Sequence, residues 1–220
     1  MLRRDEFTRD LISEAIRSAV DSTVQKHLPA LTQEPQLTSR IAEALEQRLN
    51  GMRFLNSTVR VVTQELPDRG RGALEHETGV DLFVGLKVET GRFHLAKGLF
   101  VQAKWAAPLT SRERKDLVSQ CKFMLRHTDK GALVWLYGPL GTSVVPASEV
   151  VENPMTNPSE LCGRNVAELF SDVMDCVSGD RALVMPGIFD DRQALGRMLE
   201  EFRVRQGVVV NIKADKSSRE

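Results

Sequence analysis

The sequence predicts an α/β fold in which a mixed central β-sheet is flanked by helices. From about residue 38 to 137 the hydrophobic pattern follows the order helix, strand, strand, strand, helix, strand. Residues 132–137 (Ala-Leu-Val-Trp-Leu-Tyr) are almost entirely apolar, which is typical of a strand covered on both faces. The chain has 220 residues, of which 41% are hydrophobic, so it can bury a core of this kind.

The beginning of the chain predicts two helices. Residues 5–28 carry apolar side chains at helical spacing, and Pro29 follows their end. A connector is expected at residues 29–36. A second helix is then expected at about 38–50, where Asn50-Gly51 is a stop signal.

The middle of the chain predicts strands and one further helix. Three strands with turn signals between them are expected at residues 57–66, 80–88 and 98–105. The helix covers about 111–128, and Thr110 with Glu113 has the spacing of a capping box at its start. The last segments, each with a weaker pattern, are a short strand at 143–145, helices at 164–177 and 190–204, and a strand at 207–212.

These patterns divide the chain into three parts. Residues 1–36 are predicted to be a helical N-terminal extension and residues 37–150 the α/β core. Residues 151–220 are predicted to be an α/β C-terminal extension, with a flexible tail from about residue 214.

The composition indicates the cellular compartment of the protein more clearly than it indicates the function. The formal net charge is zero, which argues against a protein that coats polyanions, although a local basic face is still compatible with it. The three cysteines are far apart and odd in number, so a reducing cytoplasm is expected. No apolar run of 18 residues or more is present, and the N-terminus lacks a signal-like segment, so no membrane association is expected.

Three polar residues interrupt otherwise apolar strands in the hairpin at residues 80–105. Asp81 begins one strand, and Gln102 and Lys104 end the next. A reversal near Gly91 gives paired residues whose numbers sum to about 183, and Asp81 is then opposite Gln102. A reversal one residue later places Asp81 opposite Lys104 instead. Either register puts the three side chains together, because opposed residues and residues two apart share a sheet face.

This hairpin carries a resemblance to a known family. The segment Glu77-Thr78-Gly79-Val80-Asp81, followed by Val101-Gln102-Ala103-Lys104, resembles the PD-(D/E)XK, or restriction-endonuclease-like, nuclease superfamily. It is most similar to the branch with D…QxK in place of D…ExK, as in type IV restriction enzymes of the Mrr kind. The resemblance covers roughly residues 38–137.

The resemblance implies a site for Mg²⁺ or Mn²⁺. The residues corresponding to Asp81 and Gln102 would bind the metal with the backbone carbonyl of Ala103, and Lys104 would assist the attacking water. Gln102 departs from the commoner glutamate, and a neutral amide oxygen is a weaker ligand than a carboxylate. The family often adds an upstream glutamate, for which Glu46 and Glu77 are equal candidates.

The implied activity is metal-dependent hydrolysis of phosphodiester bonds, with DNA as the expected substrate and a role in prokaryotic restriction, repair or phage defence. The alternative is a weak or inactive nuclease-fold module that binds nucleic acid or a protein partner. A homo-oligomer or a partner subunit could form through the C-terminal extension.

Basic side chains near the hairpin are candidates for phosphate contacts. A solvated helix face explains those on the helix equally well. Gln120, beside the apolar stripe of that helix, could also reach the site. The basic candidates are Arg69, Arg71, Arg112, Lys115 and Lys122.

Overall fold

A computed structural model describes residues 3–66, 79–91 and 93–214, with side chains from residue 6 onwards. The basic loop with Arg69 and Arg71, the candidate ligand Glu77, and residues 215–220 of the tail lie outside the described residues.

One mixed sheet forms the centre of the protein, as predicted. Among the described residues it has eight strands in the order β1-β2-β8-β3-β4-β5-β6-β7. The pairs β3–β8 and β4–β5 are parallel, and the other neighbours are antiparallel. The strands are β1 (Arg53–Phe54), β2 (Ser57–Glu65), β3 (Leu82–Glu89), β4 (His94–Trp105), β5 (Ala132–Gly138), β6 (Gly141–Pro146), β7 (Arg164–Asn165) and β8 (Gln206–Ala214).

Helices cover both faces of the sheet. One apolar cluster joins the sheet to α1, α2 and α5, and a second joins its opposite face to α3, α4 and α6. Each fully buried aliphatic or aromatic side chain in these layers contributes about 1.5–3 kcal/mol. None of the described helices is both long and apolar enough to cross a membrane. The helices are α1 (Arg3–His27), α2 (Glu34–Leu49), α3 (Ser111–Leu125), α4 (Ala147–Glu152), α5 (Val166–Met174) and α6 (Arg192–Phe202), with 3-10 turns at Pro158–Glu160 and Arg181–Leu183.

Two helix starts show how local chemistry sets the boundaries. The predicted capping box of α3 is confirmed, because Thr110 and Glu113 each accept a backbone N–H of the other. The predicted connector at 29–36 is too long, because α2 begins at Glu34. Pro35 lies in the first turn, where backbone N–H groups have no acceptor within the helix. The N–H that proline lacks therefore costs the helix no hydrogen bond.

The C-terminal segment is built into the sheet. Strand β8 lies between β2 and β3, so the part predicted as an extension supplies an interior strand. Val208 and Val210 pack in one apolar cluster and Val209 in the other, which requires a strand covered on both faces. The N-terminal helix α1 likewise packs against α2 and α5 in a shared layer.

Candidate active site

The β3–β4 hairpin has the first of the two registers considered above. Leu82 is opposite Val101, and every pair along the hairpin has residue numbers that sum to 183. Asp81 precedes β3 directly and therefore lies opposite Gln102. The reversal is closed by the Thr90 N–H, which donates to the Phe93 carbonyl at 2.9 Å.

The side chain of Asp81 ends the ladder between the two strands. Its backbone N–H donates to the Val101 carbonyl at 2.9 Å. Its Oδ2 then accepts the Ala103 N–H at 2.7 Å, where a longer β3 would have offered a backbone carbonyl. A carboxylate thus replaces a backbone acceptor, and the two strands separate at this point, which we call the β3–β4 fork.

Gly79 directs the chain away from the fork. It has a φ of +62°, and a Cβ built there would lie 2.5 Å from Cβ of Gln120 on α3. Only glycine combines this backbone conformation with so close an approach. Packing of Gly79 on Gln120 therefore fixes the direction from which the chain enters Asp81.

Gln102 is the buried partner of Asp81 and is only 2% exposed. Its Nε2 donates to Asp81 Oδ2 at 2.5 Å and to the Ala103 carbonyl at 3.2 Å. Both neighbours are acceptors, so the nitrogen of the amide must face them. Its Oε1 is buried and has no hydrogen-bond partner among the described residues. An unpaired buried acceptor costs about 1–3 kcal/mol, so the fork carries an unsatisfied polar group.

Lys104 lies on the same face of β4 as Gln102, towards α3, and is half-buried. Its positive charge acts on two groups of that helix. The pKa of Glu113 is lowered mainly by hydrogen bonds from Thr110, with a smaller effect of Lys104. Burial raises the pKa of the Cys121 thiol to about 12, against the opposing effect of Lys104. Lys104 is therefore close enough to α3 for its charge to act on groups of that helix.

A further acidic residue, Glu34, lies at the start of α2, near the buried Tyr137 of β5. The Tyr137 hydroxyl is buried and shares a hydrogen bond of 3.0 Å with Thr38, one turn after Glu34. Burial raises the pKa of Tyr137 above its usual range, and the negative charges of Asp81 and Glu34 raise it further. Sequence reasoning missed Glu34, although a glutamate before a proline is a helix-start signal that would have placed it in the first turn.

Glu46, one of the two predicted upstream glutamates, is held elsewhere. Its carboxylate accepts hydrogen bonds from the Thr63 hydroxyl and the Arg192 guanidinium. Strand β8 separates Thr63 on β2 from β3. Glu46 therefore lies over β2, two strands away from β3 and the fork.

The described basic candidates all lie on α3. Arg112, Lys115 and Lys122 are exposed, and the Arg112 side chain is 93% accessible with a loose ion pair to Asp116 at 4.0 Å. Exposed pairs of this kind contribute little to stability. These three side chains are therefore available to a ligand that approaches α3.

The fork has the donor atoms that a hard cation prefers. Among the described residues no group of three or more His, Cys, Asp or Glu side chains could hold a metal ion. A carboxylate at Asp81, an amide oxygen at Gln102 and the carbonyl of Ala103 are nevertheless all oxygen ligands of the type that Mg²⁺ takes. No protein-family model, curated protein or solved structure matches the chain.

Proposed function

We propose that this protein is a metal-dependent nuclease that hydrolyses phosphodiester bonds, with DNA as its substrate and Mg²⁺ or Mn²⁺ as its cofactor. The observation that supports it best is the Gln102 amide. Its Nε2 bridges one carboxylate and one carbonyl oxygen, while its own oxygen is buried without a partner among the described residues.

The residues at the fork fit a divalent cation. A group held between Asp81 Oδ2 and the Ala103 carbonyl must be electropositive, and in this structure the amide N–H groups of Gln102 meet that need. The last torsion of a glutamine side chain has two nearly equivalent orientations. Turning the amide over would direct Oε1 towards the same two oxygens, so that Asp81, Gln102 and Ala103 would hold the metal together.

Each residue then has a defined role in hydrolysis. Bound at the fork, the metal would offset the charge of the phosphate and lower the pKa of a water molecule. Lys104, on the same face as Gln102, would donate to a phosphate oxygen as negative charge develops. Arg112, Lys115 and Lys122 would contact phosphates farther along the strand.

A second candidate function rests on the same amide. In this structure Gln102 satisfies Asp81 with a hydrogen bond, and a glutamine brings no negative charge to attract a cation. A fork of this kind could persist in a module that binds nucleic acid without cutting it. The proposed role in prokaryotic restriction or phage defence, and a homo-oligomer or partner subunit, follow from the resemblance alone.

Digestion of supercoiled plasmid tests the proposal. The protein is incubated with Mg²⁺, with Mn²⁺ and with EDTA, beside the variant Lys104→Ala and the control Lys213→Ala. Lys213 is exposed at the end of β8, so its loss changes charge equally without touching the fork. We expect metal-dependent cutting that falls at least about 100-fold in Lys104→Ala and is unchanged in the control.

The outcomes separate the candidate functions. Equal cutting by Lys104→Ala and wild type would show that Lys104 has no role in catalysis and would refute the proposed active site. Metal-independent binding of DNA with no cutting would favour the binding module. Parallel assays on single-stranded DNA and on RNA identify the substrate class.

A further inference from the structure

Two buried amide oxygens on the α3 side of the sheet have no hydrogen-bond partner among the described residues. One is Oε1 of Gln102 at the fork, and the other is Oε1 of Gln120 on α3. A buried acceptor without a donor is unfavourable, so such atoms are rare in folded proteins. The contacts of the two side chains show how these atoms are related.

Gln120 is in contact with the segment that leads into Asp81. A Cβ built on Gly79 would lie 2.5 Å from Cβ and 2.8 Å from Cγ of Gln120, and Gly79 precedes Asp81 by two residues. Gln120 also directly precedes Cys121, which packs in the apolar cluster between α3 and the sheet. The residue is only half-buried, yet its Oε1 is buried, so the amide oxygen points into this interface.

Gln102 faces the same interface from the sheet. It lies two residues after Phe100 on β4, and Phe100 packs in the cluster that contains Cys121. Its Nε2 donates to Asp81 and to the Ala103 carbonyl, so Oε1 is the end of the amide that faces away from these two oxygens. The two unpartnered oxygens are thus presented to the space between α3 and the fork, one from each side.

Metal binding at the fork would change what the Gln102 amide requires. When the amide turns over, Oε1 moves towards Asp81 and Ala103, and Nε2 takes the former place of Oε1. The nitrogen is then a buried donor that needs an acceptor. Oε1 of Gln120, which is buried and has no donor among the described residues, can accept it.

We infer that Gln120 is a positioning residue of the proposed metal site, and that its Oε1 accepts the Nε2–H of Gln102 in the metal-bound orientation of that amide. The inference rests on the proposed function. One turn of a single side chain then gives both oxygens a partner, the metal for Gln102 and an N–H for Gln120. The other unpartnered buried acceptors of the described side chains lie elsewhere, with Asn211 Oδ1 beside Lys87 towards the far end of β3 and Thr142 Oγ1 on β6.

Binding of Mn²⁺ to wild type and to variants of Gln120 tests the inference. Free Mn²⁺ is measured by its electron paramagnetic resonance signal, and urea unfolding in EDTA is recorded alongside. Gln120→Met keeps the Cβ and Cγ that pack on Gly79 in an unbranched side chain and removes the acceptor. Gln120→Glu keeps an acceptor at the same place. Gln193→Met is the control, since Gln193 is exposed on α6.

We expect Gln120→Met to bind Mn²⁺ about 5- to 150-fold more weakly, because the turned-over amide of Gln102 then has no acceptor. Its stability in EDTA should equal or exceed that of wild type, since a buried acceptor without a donor is removed. Gln120→Glu should bind Mn²⁺ at least as tightly as wild type, and Gln193→Met should match wild type in both assays. Should Gln120→Met fail to fold, Gln120→Ala takes its place with the same expected loss of Mn²⁺ affinity.

Two results would overturn the inference. The first is a Mn²⁺ affinity that is the same in Gln120→Met as in wild type, or that falls in Gln120→Glu. The second is lower stability of Gln120→Met in EDTA together with tighter binding of Mn²⁺. That combination would show that Gln120 holds Gln102 in its metal-free orientation instead.

The measurements separate the inference from the proposed nuclease activity. Wild-type protein that binds no Mn²⁺ would refute the proposed metal site, and the inference with it. Wild-type binding that Gln120→Met leaves unchanged would refute only the role of Gln120 and would leave Asp81, Gln102 and Ala103 as the proposed ligands.

Discussion

Replacing Gln102 with glutamate tests the fork at its centre. In the wild type Nε2 of Gln102 donates to Asp81 Oδ2 at 2.5 Å and to the Ala103 carbonyl at 3.2 Å. The substitution Gln102→Glu keeps the shape of the side chain and replaces its donor with an acceptor. Without metal, a carboxylate oxygen of the new glutamate then faces Asp81 Oδ2 and the Ala103 carbonyl oxygen. The carboxylates of residues 81 and 102 are also brought together in a buried position.

The magnitude follows from the lost hydrogen bond and the new repulsion. A hydrogen bond to a charged group contributes about 1.5–3 kcal/mol, and the paired negative charges add to its loss. We expect Gln102→Glu to lower the free energy of unfolding at pH 8 by about 2–4 kcal/mol in EDTA. For a chain of this length the melting temperature then falls by about 5–15 °C.

The loss of stability in Gln102→Glu should disappear at acidic pH. A shared proton raises the pKa of the carboxylate pair above the unfolded value of about 4.3. Stability from this pair is therefore complete below about pH 4 and is lost as the pH rises through the folded pKa. At pH 4 the protonated glutamate also donates to Asp81, as the amide does.

Magnesium should restore stability to the variant. A metal present at about 100 times its dissociation constant stabilises the folded state by about 2.7 kcal/mol. Melting curves with 0–20 mM Mg²⁺ (about the range that spans weak carboxylate sites) are recorded for wild type, for Gln102→Glu and for Gln193→Glu. Gln193 is exposed on α6 and controls for the added charge alone. If Mg²⁺ raises all three melting temperatures equally, Gln102 does not face the metal and the fork is not a metal site.

Three further predictions concern the surroundings of the fork and the core. Gly79→Ala should destabilise the protein by about 2–4 kcal/mol in urea unfolding, because alanine is strained at this φ and its Cβ would overlap Gln120; a loss below 0.5 kcal/mol (roughly the range of neutral surface changes) would contradict the packing. Cys121 should resist iodoacetamide at pH 8 in the native protein while the exposed cysteines react, and its contribution to stability should decline as the pH rises from 9.0 towards 12, since burial raises the pKa of its thiol. The pKa of Lys97 is lowered by burial, so the stability of wild type relative to Lys97→Met should increase as the pH rises from the folded pKa of Lys97 to 10.5; parallel pH profiles of the two proteins would refute this.

The hairpin was predictable because the residues that determine it are close together in the sequence. Alternating apolar residues and one turn fixed two possible registers, and both placed Asp81 beside Gln102. The structure has the register in which the two are directly opposite. The orphaned oxygen of Gln102 was not predictable, since it depends on the side-chain orientation that Asp81 and Ala103 impose.

The parts that sequence reasoning missed depend on distant contacts. Strand β8 pairs with β2 and β3, although more than a hundred residues separate it from either, and no local pattern encodes such a partner. The start of α2 was also expected four residues too late, at residue 38 instead of Glu34. Glu46 has a helical position compatible with the sheet, and only its bonds to Thr63 and Arg192 reveal that it lies over the wrong strand.

Asp81 has a structural role that can be separated from its proposed catalytic one. Its Oδ2 accepts the buried Ala103 N–H and the Gln102 amide, so Asp81→Ala leaves two donors without acceptors and should cost about 2–4 kcal/mol. In Asp81→Asn the new amide oxygen can take the place of Oδ2 and still accept both the Ala103 N–H and the Gln102 amide N–H.

The asparagine variant should therefore be less destabilised than Asp81→Ala in EDTA, within about 1 kcal/mol of wild type, because it keeps both hydrogen bonds and only the charge of the acceptor is lost. It should nevertheless lose metal-dependent cutting, because a neutral amide replaces the carboxylate ligand. Urea unfolding and plasmid digestion are measured on both variants, with wild type alongside. Equal destabilisation by asparagine and alanine would contradict the role of Asp81 Oδ2 as an acceptor for Ala103 and Gln102. Full cutting by the asparagine variant would show that Asp81 does not bind the metal. Gln102 would then have only its structural role at the fork.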